Sequence, residues 1–299
     1  MILKNPKKGF VSSVGAFVIW GLLPLYWKML ENVPAIEILI HRVIWSCVFL
    51  FIVILFQRRF GEFLTAFKDK GLKFSVLSGF IIGGNWLLYI WAVNAGFVIE
   101  TSFGYYINPL ISVLIGSLFF KERLSPNQYI ALGLALIGVM ILALGYGRFP
   151  WIAIILSLSF AAYGALRKLS GFGPLMGLQV ETVFLIFPSM VYFLFLTSNG
   201  AGSIVGMNFY YKSLLVGAGV VTAIPLLLFA QGLRNLNLST VGILQYIGPT
   251  INFLLGVFIF HEDFTVYHFL SFLFIWVAVV VFSVSSIMFE IKKYSRKVY

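Results

Sequence analysis

The segment YINPLISVLIGSLFFKE, residues 106–122, recurs 140 residues later in the chain as YIGPTINFLLGVFIFHE, residues 246–262. Eight of the 17 aligned positions are identical, and both copies carry a proline, Pro109 and Pro249, in the middle of an apolar run. One constant offset that aligns two long segments indicates that the chain is duplicated. The same offset also aligns Lys28 with Lys168, Pro34 with Pro174 and Gly79 with Gly219.

Apolar runs like those in the repeat extend along almost the whole chain. Hydrophobic residues make up 61% of the sequence, charged residues 10%, and the mean hydropathy is +1.00, whereas soluble domains carry about 25% charge. Each run has about 20 residues, enough for a helix to cross a hydrocarbon core of about 30 Å. The sequence therefore predicts an all-α integral membrane protein. Its ten predicted spans are 9–30, 34–56, 72–95, 99–120, 127–146, 150–168, 175–197, 211–234, 239–261 and 265–289.

The duplication divides these ten spans into two sets of five, in residues 1–146 and 147–299. Because five is an odd number, the second set enters the membrane inverted relative to the first. Inverted repeats are typical of secondary transporters, in which two related packings of the halves open one central site to either side in turn. A purely structural membrane protein with fused halves is the alternative.

Positive charge predicts the orientation of the chain. The formal net charge is +11, but the 21 Lys and Arg residues alternate between connections instead of forming a nucleic-acid-binding patch. With a cytoplasmic N-terminus, 17 of them lie in cytoplasmic segments, three lie outside, and Arg42 lies within a span. This asymmetry predicts that both termini are cytoplasmic.

Metal, redox and common enzymatic chemistry find little support in the sequence. Cys47 is the sole cysteine and the three histidines are dispersed, so neither a disulfide nor a metal site with ligand spacing is predicted. No cofactor motif, HExxH, GxSxG or Walker A pattern occurs. We therefore expect a protein that is not an enzyme, with a membrane-embedded enzyme acting on a lipid or acyl substrate as the alternative.

The stretch AIEILIHRVIW, residues 35–45, places Glu37, His41 and Arg42 within a span. Arg42 lies roughly 12 Å below the outer surface at about 1.5 Å per residue, where a charge needs a partner or a cavity. The 140-residue offset aligns Glu181 with His41. Arg42 and Glu181 are predicted to approach the midplane from opposite sides, either to bind one zwitterionic substrate or to form a fixed structural ion pair. Glu37 is a candidate proton or gating residue, with an interfacial role as the alternative.

Other polar and aromatic residues within the spans predict the wall of a cavity for a drug-sized solute. Glu100, at the start of a span, is a second candidate proton or gating residue, whereas Glu122 and Glu262 at span ends are expected to be interfacial. Pro109 and Pro249 are predicted to kink their helices. The further substrate-binding candidates are Trp20, Asn85, Trp86, Tyr89, Tyr105, Tyr106, Asn108, Gln245 and Tyr246.

Several long segments resemble one family. They are AIEILIHRVIWS (35–46), IGGNWLLYIWAVN (82–94), SFAAYGALRK (159–168), VETVFLIFP (180–188), LSTVGILQYIGPT (238–250) and FLFIWVAVVVF (272–282). They are similar to segments of the RarD-type permeases, which belong to the EamA group of the drug/metabolite transporter superfamily. The resemblance implies a bacterial inner-membrane carrier of ten helices in two inverted EamA repeats, linked by name to chloramphenicol resistance.

These observations together predict a secondary transporter that exports a small metabolite or a drug-like solute. Since no ATP-binding motif occurs, transport is expected to be driven by an ion gradient, by exchange or by the solute gradient itself. Glu181, Glu100 and His41 are candidates for proton coupling, and an uncoupled facilitator is the alternative. The expected partners are a small-molecule substrate and the lipid bilayer, with no nucleic acid and no assigned oligomeric state.

Overall fold

A computed structural model describes residues 5–30, 32–94, 97–146, 149, 151–199, 206–259 and 265–298. Within these residues the chain forms twelve α-helices and no β-strand. The first half contains α1 (Pro6–Lys28), α2 (Ala35–Phe56), α3 (Phe60–Ala66), α4 (Leu72–Asn94), α5 (Val98–Phe120) and α6 (Pro126–Tyr146). The second half contains α7 (Trp151–Ser170), α8 (Pro174–Ser198), α9 (Phe209–Asn235), α10 (Leu238–Leu244), α11 (Ile247–Phe258) and α12 (Val266–Val298).

The helices confirm a multi-pass membrane protein, although they do not reproduce ten uniform spans. Among the described residues, eight helices are long and apolar enough to cross a membrane: α1, α2, α4, α6, α7, α8, α9 and α12. In α5, which has 23 residues, the residues described together with their side chains include the apolar stretch Gly104–Phe120. The predicted ninth span, 239–261, is divided into α10 and α11, and α3 is a short helix in the connection between α2 and α4.

The break between α10 and α11 has a cause in the sequence. Pro249 has no N–H group to bond the carbonyl of Gln245 and its ring crowds that carbonyl. The chain tightens here, and the Gln245 carbonyl accepts instead from the N–H of Gly248 at 3.2 Å. Pro109 also lies inside an apolar helix, yet α5 continues through it. Gly248 before Pro249 is a weaker helix former than Asn108 before Pro109, so the second copy breaks more easily.

Helix contacts recur in pairs: two helices pack together, and their counterparts in the other half of the chain do the same. The counterparts are α1 and α7, α2 and α8, α4 and α9, α5 and the α10–α11 pair, and α6 and α12. The contact of α1 with α9 is matched by that of α7 with α4, and the contact of α2 with α9 by that of α8 with α4. The contact of α5 with α7 is matched by that of α11 with α1. In three further contacts a helix packs against its own counterpart: α2 against α8, α5 against α10 and α6 against α12. The inverted relation of the halves stays a prediction, and this packing agrees with it.

The two copies of the repeated segment meet at the centre of the protein. The hydroxyl of Tyr246 donates a hydrogen bond of 3.1 Å to the carbonyl of Tyr106, its counterpart at the 140-residue offset. Beside this contact Gly242 of α10 approaches α5 so closely that a Cβ atom there would lie 2.7 Å from the Cβ of Ser112. Glycine therefore allows the central helices to come together.

Two apolar clusters surround this centre. The larger one joins α1, α2, α8 and α9 through buried residues such as Phe17, Leu50, Leu178 and Phe229. The smaller one joins α5, α6, α10 and α12. The part of the bundle between α4, α5 and α7 is less completely filled, and it contains a cavity.

Candidate functional site

The cavity lies between α4, α5 and α7, and its empty volume of about 250 Å³ includes space open to the surroundings. Its walls combine amide, hydroxyl and aromatic groups, as small-molecule sites do. The lining residues are Asn85, Tyr89, Thr101, Gly104, Tyr105, Asn108, Leu156 and Phe160.

Hydrogen bonds to the backbone of α7 fix the polar part of the wall. The Asn85 amide donates to the carbonyl of Leu156 at 2.9 Å and to the hydroxyl of Ser159 at 2.8 Å. From α7, Ser157 donates to the carbonyl of Gly104 at 3.0 Å. These bonds hold α4 and α5 against α7 and so define the width of the cavity.

Two tyrosines form the aromatic part of the wall. The rings of Tyr89 and Tyr105 meet edge to face, with centroids 6.0 Å apart. The Tyr105 side chain is 38% exposed, so it is accessible from the cavity. Both tyrosines lie within electrostatic range of the Arg42 guanidinium, which connects α2 to the site.

Arg42 is held between two indole rings. Its guanidinium carbon lies 4.9 Å from the ring centroid of Trp27 and 4.8 Å from that of Trp86. Its Nε donates a hydrogen bond of 3.0 Å to the hydroxyl of Thr222 on α9. Aromatic faces attract a cation without neutralising it, so the positive charge of Arg42 is retained in the centre of the bundle.

The predicted bridge between Arg42 and Glu181 is wrong, because Glu181 pairs with another arginine. The Glu181 carboxylate, 1% exposed, lies 3.3 Å from Nε of Arg167 at the end of α7. It also accepts hydrogen bonds from Ser78 at 2.6 Å and from Tyr163 at 3.4 Å. The sequence places Arg167 among the 17 positive charges of the cytoplasmic segments. In the structure it is 4% exposed, and its Nη2 donates a hydrogen bond of 3.0 Å to the carbonyl of Pro174 at the start of α8.

A second buried ion pair joins Lys168 to Glu122. Their Nζ and Oε1 atoms are 2.9 Å apart, and the carboxylate also accepts from the backbone N–H groups of Leu238 and Ser239 at 2.8 and 3.0 Å. Glu122 therefore satisfies the first N–H groups of α10. Burial raises the pKa of the Glu122 carboxyl, but Lys168 and Ser239 outweigh burial and hold this pKa below its ordinary value. Glu122 is thus buried in an ion pair at the end of α5, while its position at the membrane interface stays a prediction.

Comparison with known proteins decides the family. The EamA-like transporter family matches residues 7–144. The chain is 44% identical over 290 residues to the uncharacterized transporter YojE of Bacillus subtilis strain 168, covering 95% of this chain and 96% of YojE. It is 40% identical to protein RarD of Streptomyces exfoliatus, covering 92% of this chain and 88% of that protein. The chain belongs to the EamA-like transporter family, as a RarD-type permease.

A solved crystal structure supports the fold of this permease. The match covers 94% of this chain and 98% of the solved chain, with a TM-score of 0.71 and 16% sequence identity. At this identity the likeness concerns the fold alone.

The structure brings some of the predicted site residues of the permease together. Asn85, Tyr89, Tyr105 and Asn108 line the cavity. Trp86 is not among the lining residues, but its ring contacts Arg42.

Other predicted site residues lie away from the cavity. Tyr106, Gln245 and Tyr246 are buried where the two copies of the repeat meet. Trp20 lies behind the wall, since its ring centroid is 5.9 Å from that of Phe160, which lines the cavity. The side chain of Glu100, and Glu262 as a whole, lie outside the described part of the chain.

His41 and Glu37 are buried on α2 and are not among the residues that line the cavity. The Nδ1 atom of His41 accepts a hydrogen bond of 3.3 Å from Trp45, and its ring packs edge to face on Phe193. Glu37 is 5% exposed, so the alternative that it extends to the headgroups is not supported. Within the described residues, no three His, Cys, Asp or Glu side chains come together as a metal site.

Proposed function

We propose that this permease is a secondary transporter that exports a small metabolite or drug-like solute from the bacterial cytoplasm by alternating access. The observation that carries the proposal is the position of the cavity relative to the two buried ion pairs. Leu156 lines the cavity near the start of α7, and Arg167 and Lys168 lie near its end. The separation from Leu156 to Arg167 is roughly 16 Å at about 1.5 Å per residue.

The ion pairs lie at the end of the bundle that contains the N-terminus. Lys168 also donates to the carbonyl of Leu236 at 3.3 Å. Beside it, the backbone N–H of Asn5 donates to the Asn235 side chain at 3.1 Å. We propose that this end is cytoplasmic, as the positive charges predict, and that the ion pairs close it. The cavity then opens on the other side, and opening the ion-paired end exposes it to the cytoplasm.

For coupling, we propose that Glu181 exchanges a proton during the transport cycle. It is a buried carboxylate with three polar neighbours, Arg167, Ser78 and Tyr163, and a change at Arg167 alters its electrostatic environment directly. An uncoupled facilitator would exchange solute without any response to a proton gradient.

Solute counterflow in liposomes tests this function. Liposomes containing the purified protein are loaded with one unlabelled solute and diluted into a trace of the same solute in labelled form. The panel contains chloramphenicol, single-ring carboxylates, amides and amines, and amino acids. We expect transient accumulation of at least one labelled solute above protein-free liposomes, and a changed rate when a pH gradient is imposed. Folded protein that exchanges no member of the panel, or that instead hydrolyses lipid, would contradict the proposal.

A further inference from the structure

The terminal nitrogens of Arg42 have no protein partner in the described residues. Nε donates to Thr222, but neither Nη1 nor Nη2 makes a hydrogen bond to any described group, and no described carboxylate lies within 4 Å of them. The side chain is only partly buried, and neither terminal nitrogen is among the fully buried polar atoms that lack a partner. An ionised side chain inside a membrane span is costly unless something pairs with it. The N–H groups of Nη1 and Nη2 therefore need an anion or water as a hydrogen-bond acceptor.

The acidic side chains that the structure describes in the bundle do not supply this anion. Glu181 is engaged by Arg167 and Glu122 is engaged by Lys168. Glu37 precedes Arg42 by five residues on α2, which points the two side chains to different faces of that helix. The electrostatic interactions of Arg42 are with Tyr89 and Tyr105, which are neutral hydroxyl groups. Counted over the described side chains, the site thus carries one net positive charge.

The indoles of Trp27 and Trp86 hold the guanidinium by its two faces. A guanidinium held in this way can bind through its edge, where its parallel N–H groups match the two oxygens of a carboxylate. Arg42 adjoins the cavity, because Trp86, whose ring it contacts, follows the lining residue Asn85 on α4, and because Tyr89 and Tyr105 of the wall lie within its electrostatic range. We infer that the substrate is a small organic anion, preferably a carboxylate, and that its anionic group binds Nη1 and Nη2 of Arg42. This inference rests on the proposed transport function.

The rest of the cavity favours a small ring attached to that anionic group. The cavity is small, and its empty volume of about 250 Å³ includes space open to the surroundings. The rings of Phe160, Tyr89 and Tyr105 offer flat apolar surfaces. The Asn85 side-chain oxygen and the Asn108 side-chain nitrogen are left for a polar substituent, because the other amide atoms already bond α7 and Ser112. A single-ring carboxylate matches this chemistry.

This inference revises the sequence-based hypothesis of a zwitterionic substrate. That hypothesis required the Glu181 carboxylate to receive an ammonium group while Arg42 received a carboxylate. Since Glu181 already forms an ion pair with Arg167, the ammonium group of a zwitterion has no counter-ion there. We therefore expect anions to bind more tightly than zwitterions of the same size.

A charge series of matched probes tests the substrate class. Benzoate, benzamide and benzylamine share one ring and differ in charge, and phenylalanine is the zwitterionic comparison. Binding to the full-length protein is measured by thermal stabilisation and by counterflow in liposomes. We expect benzoate to bind at least about tenfold more tightly than the other three, the change that corresponds to one hydrogen-bonded charge pair.

Substitutions at two basic residues, Arg42 and Lys73, test where the anion binds. Arg42→Gln should weaken benzoate binding by about ten- to a hundredfold, and Arg42→Lys should retain part of it because the charge remains without the planar fork. Lys73→Gln is the matched control: Lys73 also lies over an aromatic ring, with Nζ 5.1 Å from the Phe74 centroid, but it is exposed and outside the cavity. It should leave benzoate binding unchanged.

Several outcomes would overturn the inference. Equal or tighter binding of benzamide, benzylamine or phenylalanine, no binding of benzoate, or full benzoate binding by folded Arg42→Gln would each do so. If Arg42→Gln does not fold, the charge series on the unmodified protein still decides. Exchange of the amide or amine without benzoate would overturn the substrate class and leave the transporter intact, whereas no exchange of any solute would contradict transport itself.

Discussion

Replacing Arg167 by methionine is expected to destabilise the protein by about 3–5 kcal/mol, because it leaves the Glu181 carboxylate buried without a counter-ion. The side chains of this pair are only 2% and 1% exposed, so neither solvent nor salt compensates for the loss. The expected fall in Tm, measured in detergent, is on the order of 10 °C.

An exposed ion pair provides the matched control. Arg59 and Glu62 lie 2.6 Å apart in the connection that contains α3, with side chains 37% and 57% exposed. Arg59→Met should therefore change the Tm little. Adding Glu181→Leu to Arg167→Met should recover part of the lost stability, since no unpaired charge remains. An Arg167→Met protein as stable as the Arg59→Met protein would show that the buried pair is not needed for stability.

Replacing Glu122 by glutamine is expected to cost about 3 kcal/mol at neutral pH, by leaving Lys168 buried without its anion. The glutamine also replaces a charged acceptor of the two N–H groups at the start of α10 with a weaker, neutral one. Because α10 packs against α5 at the centre of the bundle, the loss extends beyond the pair itself. Thermal unfolding in detergent measures it.

The same carboxylate predicts a dependence on pH. The pKa of Glu122 in the folded protein lies below the ordinary value of 4.5, so its contribution to stability is complete above pH 4.5. The contribution is lost as the pH falls below that value through the folded-state pKa. The Tm of the unmodified protein should therefore approach that of Glu122→Gln in acid.

Glu62→Gln is the control: Arg59 also lowers the pKa of that carboxyl, but Glu62 is exposed and its replacement should have little effect at any pH. A Tm difference between the unmodified protein and Glu122→Gln that does not shrink in acid would contradict the assignment.

The spans could be predicted from the sequence because hydropathy and helix length are local properties of the chain. The break after α10 could not be placed with the same certainty, since Pro109 and Pro249 occupy equivalent positions and only the second interrupts its helix. The residue before each proline, Asn108 or Gly248, was the available signal.

The neighbours of the buried charges could not be predicted, because they depend on how distant helices pack. Arg42 is bracketed by Trp27 from α1 and Trp86 from α4, and nothing in the local sequence specifies either contact. Arg167 resembled a loop charge because it lies near the end of a span. One signal was available: the 140-residue offset aligns Arg167 with Trp27, so equivalent positions of the two halves contact the buried charges on α2 and α8.

Labelling a cysteine in the cavity tests alternating access most directly. With Cys47 replaced by serine, Tyr105→Cys is treated with a membrane-impermeant thiol reagent, in spheroplasts from outside and in inverted vesicles from the cytoplasmic side. Glu122→Gln, which weakens the ion-paired end, should lower labelling from outside and raise it from the cytoplasmic side, whereas Glu62→Gln should alter neither. Labelling that rises from both sides together, or that never occurs from the cytoplasmic side, would contradict a carrier that opens to one side at a time.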